Sequence, residues 1–241
     1  MARDFDRRAF REVYARFIEG GQFQEDASYY PRYRSRYEGI TKKYAELAGP
    51  APLDVLDIGG GIYAVIVHKL FGDRATVADI MEESYPRECG VNSRVWNLAK
   101  EDAPFDQKFD VIIFSEVIEH LPLPGYVALE RLRKLLKPGG VLICTTPNFF
   151  RLRNVVYVAI GKSIFDNMRL PEEGGTGHVI EYDEARLHWV MERAGFREIS
   201  ITLHEFAHQP TDRLFRVLSW LGSPLFAIPR FRESLIATGI A

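Results

Sequence analysis

The sequence predicts an α/β protein built on a mostly parallel sheet with helices on both faces. Two segments and a rhythm carry that expectation. Leu53-Asp54-Val55-Leu56-Asp57-Ile58-Gly59-Gly60-Gly61 reads as a buried strand running into a glycine-rich turn, with a helix behind it. The next apolar run, Ala75-Thr76-Val77-Ala78-Asp79-Ile80, ends in an acidic residue, and it does so about 20 positions beyond the turn, the spacing of a ribose acceptor. Glycines let backbone amides approach a ligand closely, so the pair points to a nucleoside-containing cofactor rather than a bare phosphate. The rhythm is the alternation of strands near 53–58, 75–80, 93–97, 109–114 and 140–145 with helices near 62–71 and 125–136. It places ligands at the carboxyl ends of the strands.

Ahead of the first strand, Phe5, Ala9, Phe10, Val13, Phe17 and Ile18 recur at helical spacing, which predicts an amphipathic helix over 5–19. Tyr29, Tyr30, Arg32, Tyr33, Arg34, Arg36 and Tyr37 form an aromatic and basic stretch, and a second helix is expected from Tyr37 to Ala48, closed by Gly49-Pro50. Residues 1–50 are therefore read as a helical cap or a substrate lid on a main domain over 51–241. The connection after Ile80 is short and holds Pro86, which predicts an abbreviated crossover helix. Lys137-Pro138-Gly139-Gly140 should stop a helix and turn into the next strand. A helix over 183–194 closed by Gly195, and strands over 197–205 and 234–240, complete the pattern. Apolar insertions lie near 149–177 and 209–231, the latter with a hydrophobic helical stretch at 214–221.

At 241 residues with 46% hydrophobic content, the chain can bury the core of one α/β domain. A formal net charge of -2 gives no global pull toward nucleic acid. Cys89 and Cys144 are too few for a disulfide scaffold or a thiolate zinc cluster, and Cys144 sits in an apolar run as a core thiol. The charged start lacks the apolar stretch of a signal peptide, and no segment approaches the ~20 apolar residues of a membrane span. A cytoplasmic protein, free or peripherally attached to a membrane, is expected.

In order and spacing, DVLDIGGG, ATVADI, FDVIIFSEVIEHLP, LKPGG, TTPN and GHVIEYDEARLHWVMERAGF resemble the class I methyltransferases that use S-adenosylmethionine. The likeness covers most of residues 50–205 and is nearest to ubiquinone-pathway O-methyltransferases and related small-molecule enzymes. It implies a Rossmann-like three-layer sandwich with a seven-stranded sheet, whose late strands 197–205 and 234–240 form an antiparallel hairpin. It also implies that Asp57, Gly59, Gly60 and Gly61 shape the pocket for the amino-acid part of the cofactor. Asp79 would accept from both ribose hydroxyls, Asn97 would offer an amide contact beside the adenine, and Ser115 and Glu116 would border the methionine end. Tyr63 departs from the pattern, standing where a glycine is usual, and its ring must turn away to leave the methionine tail room.

A sulfonium donor needs no protein nucleophile, so the expected work is alignment of an acceptor and handling of its proton. His120, in Glu119-His120-Leu121-Pro122 just past a strand end, is a candidate base or a loop-orienting residue. Glu119 is a candidate for acceptor contact or loop support. Together with Glu116 these two could hold a hard cation only if all three converged, so the sequence alone assigns no metal site. His178 follows Gly174-Gly175-Thr176-Gly177, and in the resembled family a histidine here commonly faces the acceptor. Ser115 lacks a nucleophile-elbow pattern, and no lysine closes Gly59–Gly61 as a phosphate loop.

The reading is thus methyl transfer from S-adenosylmethionine to a small-molecule acceptor at oxygen, the acceptor being aromatic, glycosyl or lipid-linked. A nicotinamide-dependent oxidoreductase and a non-catalytic cofactor-binding member of the fold are the alternatives. Nucleic acid is disfavoured as a partner. The apolar, arginine-punctuated stretches at 149–160 and 214–221 fit core packing, a homodimer interface or a membrane surface.

Overall fold

The structure, a computed structural model, describes residues 2–23, 28–50, 52–82, 84–165, 177–206 and 228–241. Helix α1 (Arg7–Val13) starts where the Asp6 carboxylate accepts from the Arg8 and Ala9 amides at 2.7 and 3.2 Å, then widens into a π-type turn over Tyr14–Glu19. Helix α2 (Tyr29–Leu47) begins well before Tyr37, so the aromatic and basic stretch is helical rather than a leader to the helix. The reason is packing: Tyr30, Tyr37, Ile40, Thr41 and Tyr44 form one buried stripe along it.

Strand β1 (Asp54–Ile58) enters the glycine turn and helix α3 (Ile62–Phe71). Strand β2 (Arg74–Asp79), the single-turn helix α4 (Ser84–Glu88) and strand β3 (Asn92–Val95) follow, and the short α4 matches the expected abbreviated crossover. Then come β4 (Phe109–Ser115), a tight turn of helix at Ile118–His120, α5 (Gly125–Leu135) and β5 (Leu136–Pro147). Helices α6 (Leu152–Ala159) and α7 (Glu184–Arg193) precede the closing strands β6 (Arg197–His204) and β7 (Ser234–Ile240). The stretch expected as a helix at 214–221 lies outside the described residues.

The seven strands form one sheet in the order β3-β2-β1-β4-β5-β7-β6. β1 to β5 are mutually parallel, and β7 lies antiparallel between β5 and β6. Lys137–Gly140 turns as expected, but as a loop within β5: Phe109 pairs with Leu136 before it and Val111 with Val141 after it. Strand pairing thus starts earlier than 140 and also runs on to Pro147.

Alternation along the strands sorts the core into two layers. Val55, Val77, Val111, Ile113, Ile143 and Ile236 face α1, α2 and α3, whereas Leu56, Ile112, Phe114, Leu142 and Leu235 face α5 and α7. The N-terminal helices therefore share one buried cluster with α3 and the sheet. A polar clamp at their base fixes them. Asp73, fully buried, takes a forked pair of bonds from Arg3 (2.5 and 3.0 Å), one from the Tyr44 hydroxyl (2.5 Å) and one from the Leu53 amide (2.8 Å).

Replacing Asp73 with Ala strands the Arg3 guanidinium and the Tyr44 hydroxyl together, and should destabilise the protein by about 3 kcal/mol. Urea unfolding checks this; a change well under 1 kcal/mol would show that apolar packing alone holds the N-terminal helices.

Candidate active site

The carboxyl ends of β1 and β2 make a cradle. Gly59, Gly60 and Gly61 all have positive φ (93°, 63° and 76°), a run that side chains rarely tolerate. At Gly59 an added Cβ would also come 2.9 Å from Val117, while at Gly60 it would meet nothing within 4 Å, so the middle of the turn faces open space. Asp79 ends β2 and draws the turn toward itself, accepting from the Gly60 amide at 2.8 Å and the Met81 amide at 3.1 Å. Each carboxylate oxygen retains a lone pair for a hydroxyl donor.

Asp57, 1% exposed, sits under the cradle at the end of β1. Its Oδ2 accepts from the Ala64 amide in the first turn of α3 at 2.9 Å, while Oδ1 is buried without a hydrogen-bond partner. Burial, with a smaller push from Asp79, raises this carboxyl to about 7. An orphaned acidic oxygen beneath a glycine cradle is suited to an ammonium group. The residues present therefore fit an amino-acid-bearing nucleoside: ammonium on Asp57, ribose on Asp79, backbone against Gly60.

Tyr63 leaves this cradle free. Its ring packs in the buried cluster against Tyr37, 5.1 Å between centroids, and burial raises its phenol well above the ordinary value. The hydroxyl points to the end of β4, 3.5 Å from Ser115 Oγ. Ser115 Oγ lies 2.8 Å from Thr145 Oγ1, which donates to Glu116 Oε1 at 2.9 Å. Glu116, itself at φ 55°, accepts on its other oxygen from Arg36 at 3.1 Å. Arg36 comes from α2, is 9% exposed, and packs over the rings of Tyr33 and Tyr37. Asn97 does not reach into this network: its Oδ1 accepts from the Ala99 amide and shapes the turn after β3.

Beyond β4 a second group assembles. Glu119 is 1% exposed; Oε2 accepts from Thr146 Oγ1 at 3.1 Å, and Oε1 has no hydrogen-bond partner and lies 3.9 Å from His120 Nε2. Burial, then the nearby Glu116 charge, hold the Glu119 carboxyl well above the usual range. The Glu119 carbonyl accepts from the Val179 and Ile180 amides, and His120 Nδ1 bonds the Gly177 carbonyl at 2.7 Å. This stitches the segment carrying His178 to the loop carrying His120, and their rings stand edge to face at 5.0 Å. His178 Nδ1 is 2.8 Å from Glu181 Oε1, and Glu181 is buried beside Arg151.

One ligand atom each from Glu119, His120 and His178 lies within 4.8 Å of the others, close enough to hold a cation. Glu116 is absent from that set because it turns back to Arg36, so the convergence of Glu116 with Glu119 and His120 that a cation would need does not occur, and His178 stands in its place. Arg36, Thr145, Thr146 and Glu181 were not singled out as site residues from sequence. Thr145 and Thr146 lie in the TTPN motif, and Glu181 stands three residues after His178, which is a readable signal. Nothing local to Arg36 shows that it reaches a residue 80 positions away.

Comparison with known proteins places the chain in a family. A family model described as Methyltransferase domain matches residues 30–201. The ubiquinone biosynthesis O-methyltransferase of Cereibacter sphaeroides (strain ATCC 17025) is 33% identical over 130 residues, 47% of this chain and 52% of that protein. The chain thus spans about half the length of the curated relatives it matches first. Among solved structures, a chain from the complex of the Haloferax volcanii Trm112 methyltransferase activator with a methyltransferase has a TM-score of 0.61 at 16% identity, covering 98% of this chain and 96% of that one. Magnesium protoporphyrin IX methyltransferase from Synechocystis, with bound S-adenosylhomocysteine, gives 0.56 at 16% identity over 97% and 93%. At such identities the structures speak for the fold. The chain belongs to the S-adenosylmethionine-dependent methyltransferase family, and the strand order with its terminal antiparallel hairpin is that of the Rossmann-like fold expected from sequence.

Burial raises the Asp57 carboxyl from 3.8 to about 7, so its protonation favours the folded state in full below the unfolded value, and that contribution is lost progressively as pH rises to about 7. An ammonium ligand reverses the preference. Binding of S-adenosylhomocysteine at pH 6 should therefore release roughly one proton per molecule. Calorimetry in buffers of differing ionisation enthalpy reads this; buffer dependence should vanish in Asp57→Asn, and its absence in the native protein would contradict the assignment.

Proposed function

We propose that this protein transfers a methyl group from S-adenosylmethionine to a hydroxyl oxygen of a small-molecule acceptor held over His120 and His178. The observation that carries the reading is the His178–Glu181 pair. A histidine whose Nδ1 is fixed by a buried carboxylate presents its other nitrogen as an acceptor, which suits a base. It stands beside the loop leaving β4, and β4 is the sheet neighbour of β1, whose end carries the cofactor cradle. The names of relatives such as the Cereibacter sphaeroides enzyme support oxygen as the acceptor atom.

When bound, the cofactor supplies a methyl group on positively charged sulfur, which leaves without a protein nucleophile. The chain's residues supply the rest. Asp57 and Asp79 hold the two ends of the donor, and the Arg36–Glu116 pair closes the methionine side. His120, tied to Gly177, sets the wall of the acceptor pocket. His178 takes the hydroxyl proton as the new carbon–oxygen bond forms, and Glu181 stabilises the resulting imidazolium. Residues 1–50 act in this scheme as a cap that lends Arg36 to the site.

One observation favours a second reading of the acceptor side. Glu119 Oε1, buried and unpartnered beside two histidines, is suited to a divalent cation, which would lower the acceptor hydroxyl's pKa when bound.

The test is transfer of labelled methyl to a panel of phenolic and catecholic acceptors, with and without an isoprenoid tail. Native protein should label at least one of them at oxygen. His178→Ala should lower kcat by about 100-fold or more, and Glu181→Gln should follow in the same direction with KM little changed. Native rates in His178→Ala would remove the base. Turnover that survives a strong chelator supports proton acceptance by histidine alone, whereas loss restored by magnesium or manganese assigns the cation.

A further inference from the structure

Tyr63 departs from the expected glycine, and methyl transfer as proposed above leaves its hydroxyl without a task. The ring has a plain structural use. It closes a ladder of rings that runs from Phe10 on α1 through Tyr14 and Tyr37, with centroid spacings of 5.5, 5.6 and 5.1 Å. A phenylalanine would fill that ladder equally well. The hydroxyl is the part that packing does not explain.

That hydroxyl has no firm partner. Among the described residues it meets only Ser115 Oγ, at 3.5 Å. Thr145 Oγ1 gives its single proton to Glu116 Oε1, so the 2.8 Å contact between Thr145 and Ser115 takes the single proton of Ser115. No proton then remains in this chain of hydroxyls for the Tyr63 oxygen to accept. Tyr63 is 4% exposed, and burial raises the phenol well above its ordinary value, so the oxygen stays neutral. A buried hydroxyl without a close partner costs stability. Asp57 Oδ1 is in the same condition.

The two oxygens belong to one region. The Tyr63 amide lies against the Asp57 carboxyl and holds it down against the push of burial. In the pairing of β1 with β4, Ile58 is opposite Phe114, so Ser115 leaves the sheet level with Gly59. Tyr63 therefore touches the β1 carboxylate with its backbone and the end of β4 with its hydroxyl.

We propose that the Tyr63 hydroxyl accepts from the ammonium group of the sulfur nucleoside, completing with Asp57 Oδ1 a two-oxygen subsite for the amino-acid tail. An ammonium has three protons to place. The carboxylate oxygen takes one and the phenol oxygen a second, which satisfies both buried acceptors at once. The subsite deepens the donor site and rests on the methyl-transfer reading.

The experiment is calorimetric titration of native protein and Tyr63→Phe with three ligands: S-adenosylhomocysteine, its desamino analogue, and 5′-methylthioadenosine, which lacks the whole amino-acid tail. The variant keeps the ring ladder and should keep the native thermal transition. It should bind S-adenosylhomocysteine about tenfold more weakly, the loss of one hydrogen bond to a charged group. Its affinities for the desamino analogue and for methylthioadenosine should match those of the native protein, whereas a merely structural role would lower all three alike. Undiminished affinity for S-adenosylhomocysteine, equal losses for the three ligands, or a variant that no longer folds would overturn the proposal and leave the donor site standing. A folded native protein that binds none of the three would overturn the proposal and the methyl-transfer reading together.

Discussion

A buried carboxylate at the end of a central strand sets the terms for the rest of this molecule. Asp57 ties β1 to the first turn of α3 with one oxygen and leaves the other unpartnered under the glycine turn. The strand ends one residue later, at Ile58, because Gly59, Gly60 and Gly61 adopt positive φ, and the first turn of α3 is held to the strand because the Ala64 amide donates to the carboxylate. Such a group is costly to bury alone, and its raised pKa expresses that cost. A cationic ligand offsets it. The same unpartnered oxygen would favour a ligand that carries an ammonium group.

The sheet distributes the remaining chemistry by adjacency. β1 and β4 are parallel neighbours, so the glycine turn and the loop of Glu116, Glu119 and His120 leave the same end of the sheet. β5 lies beyond β4, and its Thr145 and Thr146 hold Glu116 and Glu119 respectively from below. The two glutamates are three residues apart but serve different partners: Glu116 turns to Arg36 on α2, and Glu119 turns to the histidines. One short loop therefore links Arg36 on α2, Thr145 and Thr146 on β5, and His120. Tyr63 belongs to this coupling as well, since its ring joins the buried tyrosines of α2 instead of filling the cradle.

Local pattern made most of the framework legible. The strand–glycine–helix unit at 53–71, the short crossover at α4 and the closing hairpin all follow from side-chain periodicity, turn residues and the family resemblance. Asp57, Asp79 and Gly59–Gly61, expected from sequence to hold the cofactor, come together at the carboxyl ends of β1 and β2 because each ends or follows a strand. Contacts between distant segments were not legible in the same way. Helix α2 starts at Tyr29 because its tyrosines bury against α1 and α3, which no window on that segment reveals. Arg36 meets Glu116, and Arg151 meets Glu181, only because the sheet brings their loops to a common edge. Asn97 shows the reverse: it sits at the expected place after β3, yet its side chain serves the turn.

We propose that the glycine turn, Asp57 and Asp79 together bind S-adenosylmethionine. Calorimetric titration of the purified protein with S-adenosylmethionine and S-adenosylhomocysteine, with NADH as control, tests it most directly. Saturable binding of the first two, no heat with NADH, and loss of binding in a folded Asp79→Ala variant are the expected results. A folded native protein that binds neither sulfur nucleoside, or that binds NADH in their place, would contradict the claim and leave the cradle to another ligand.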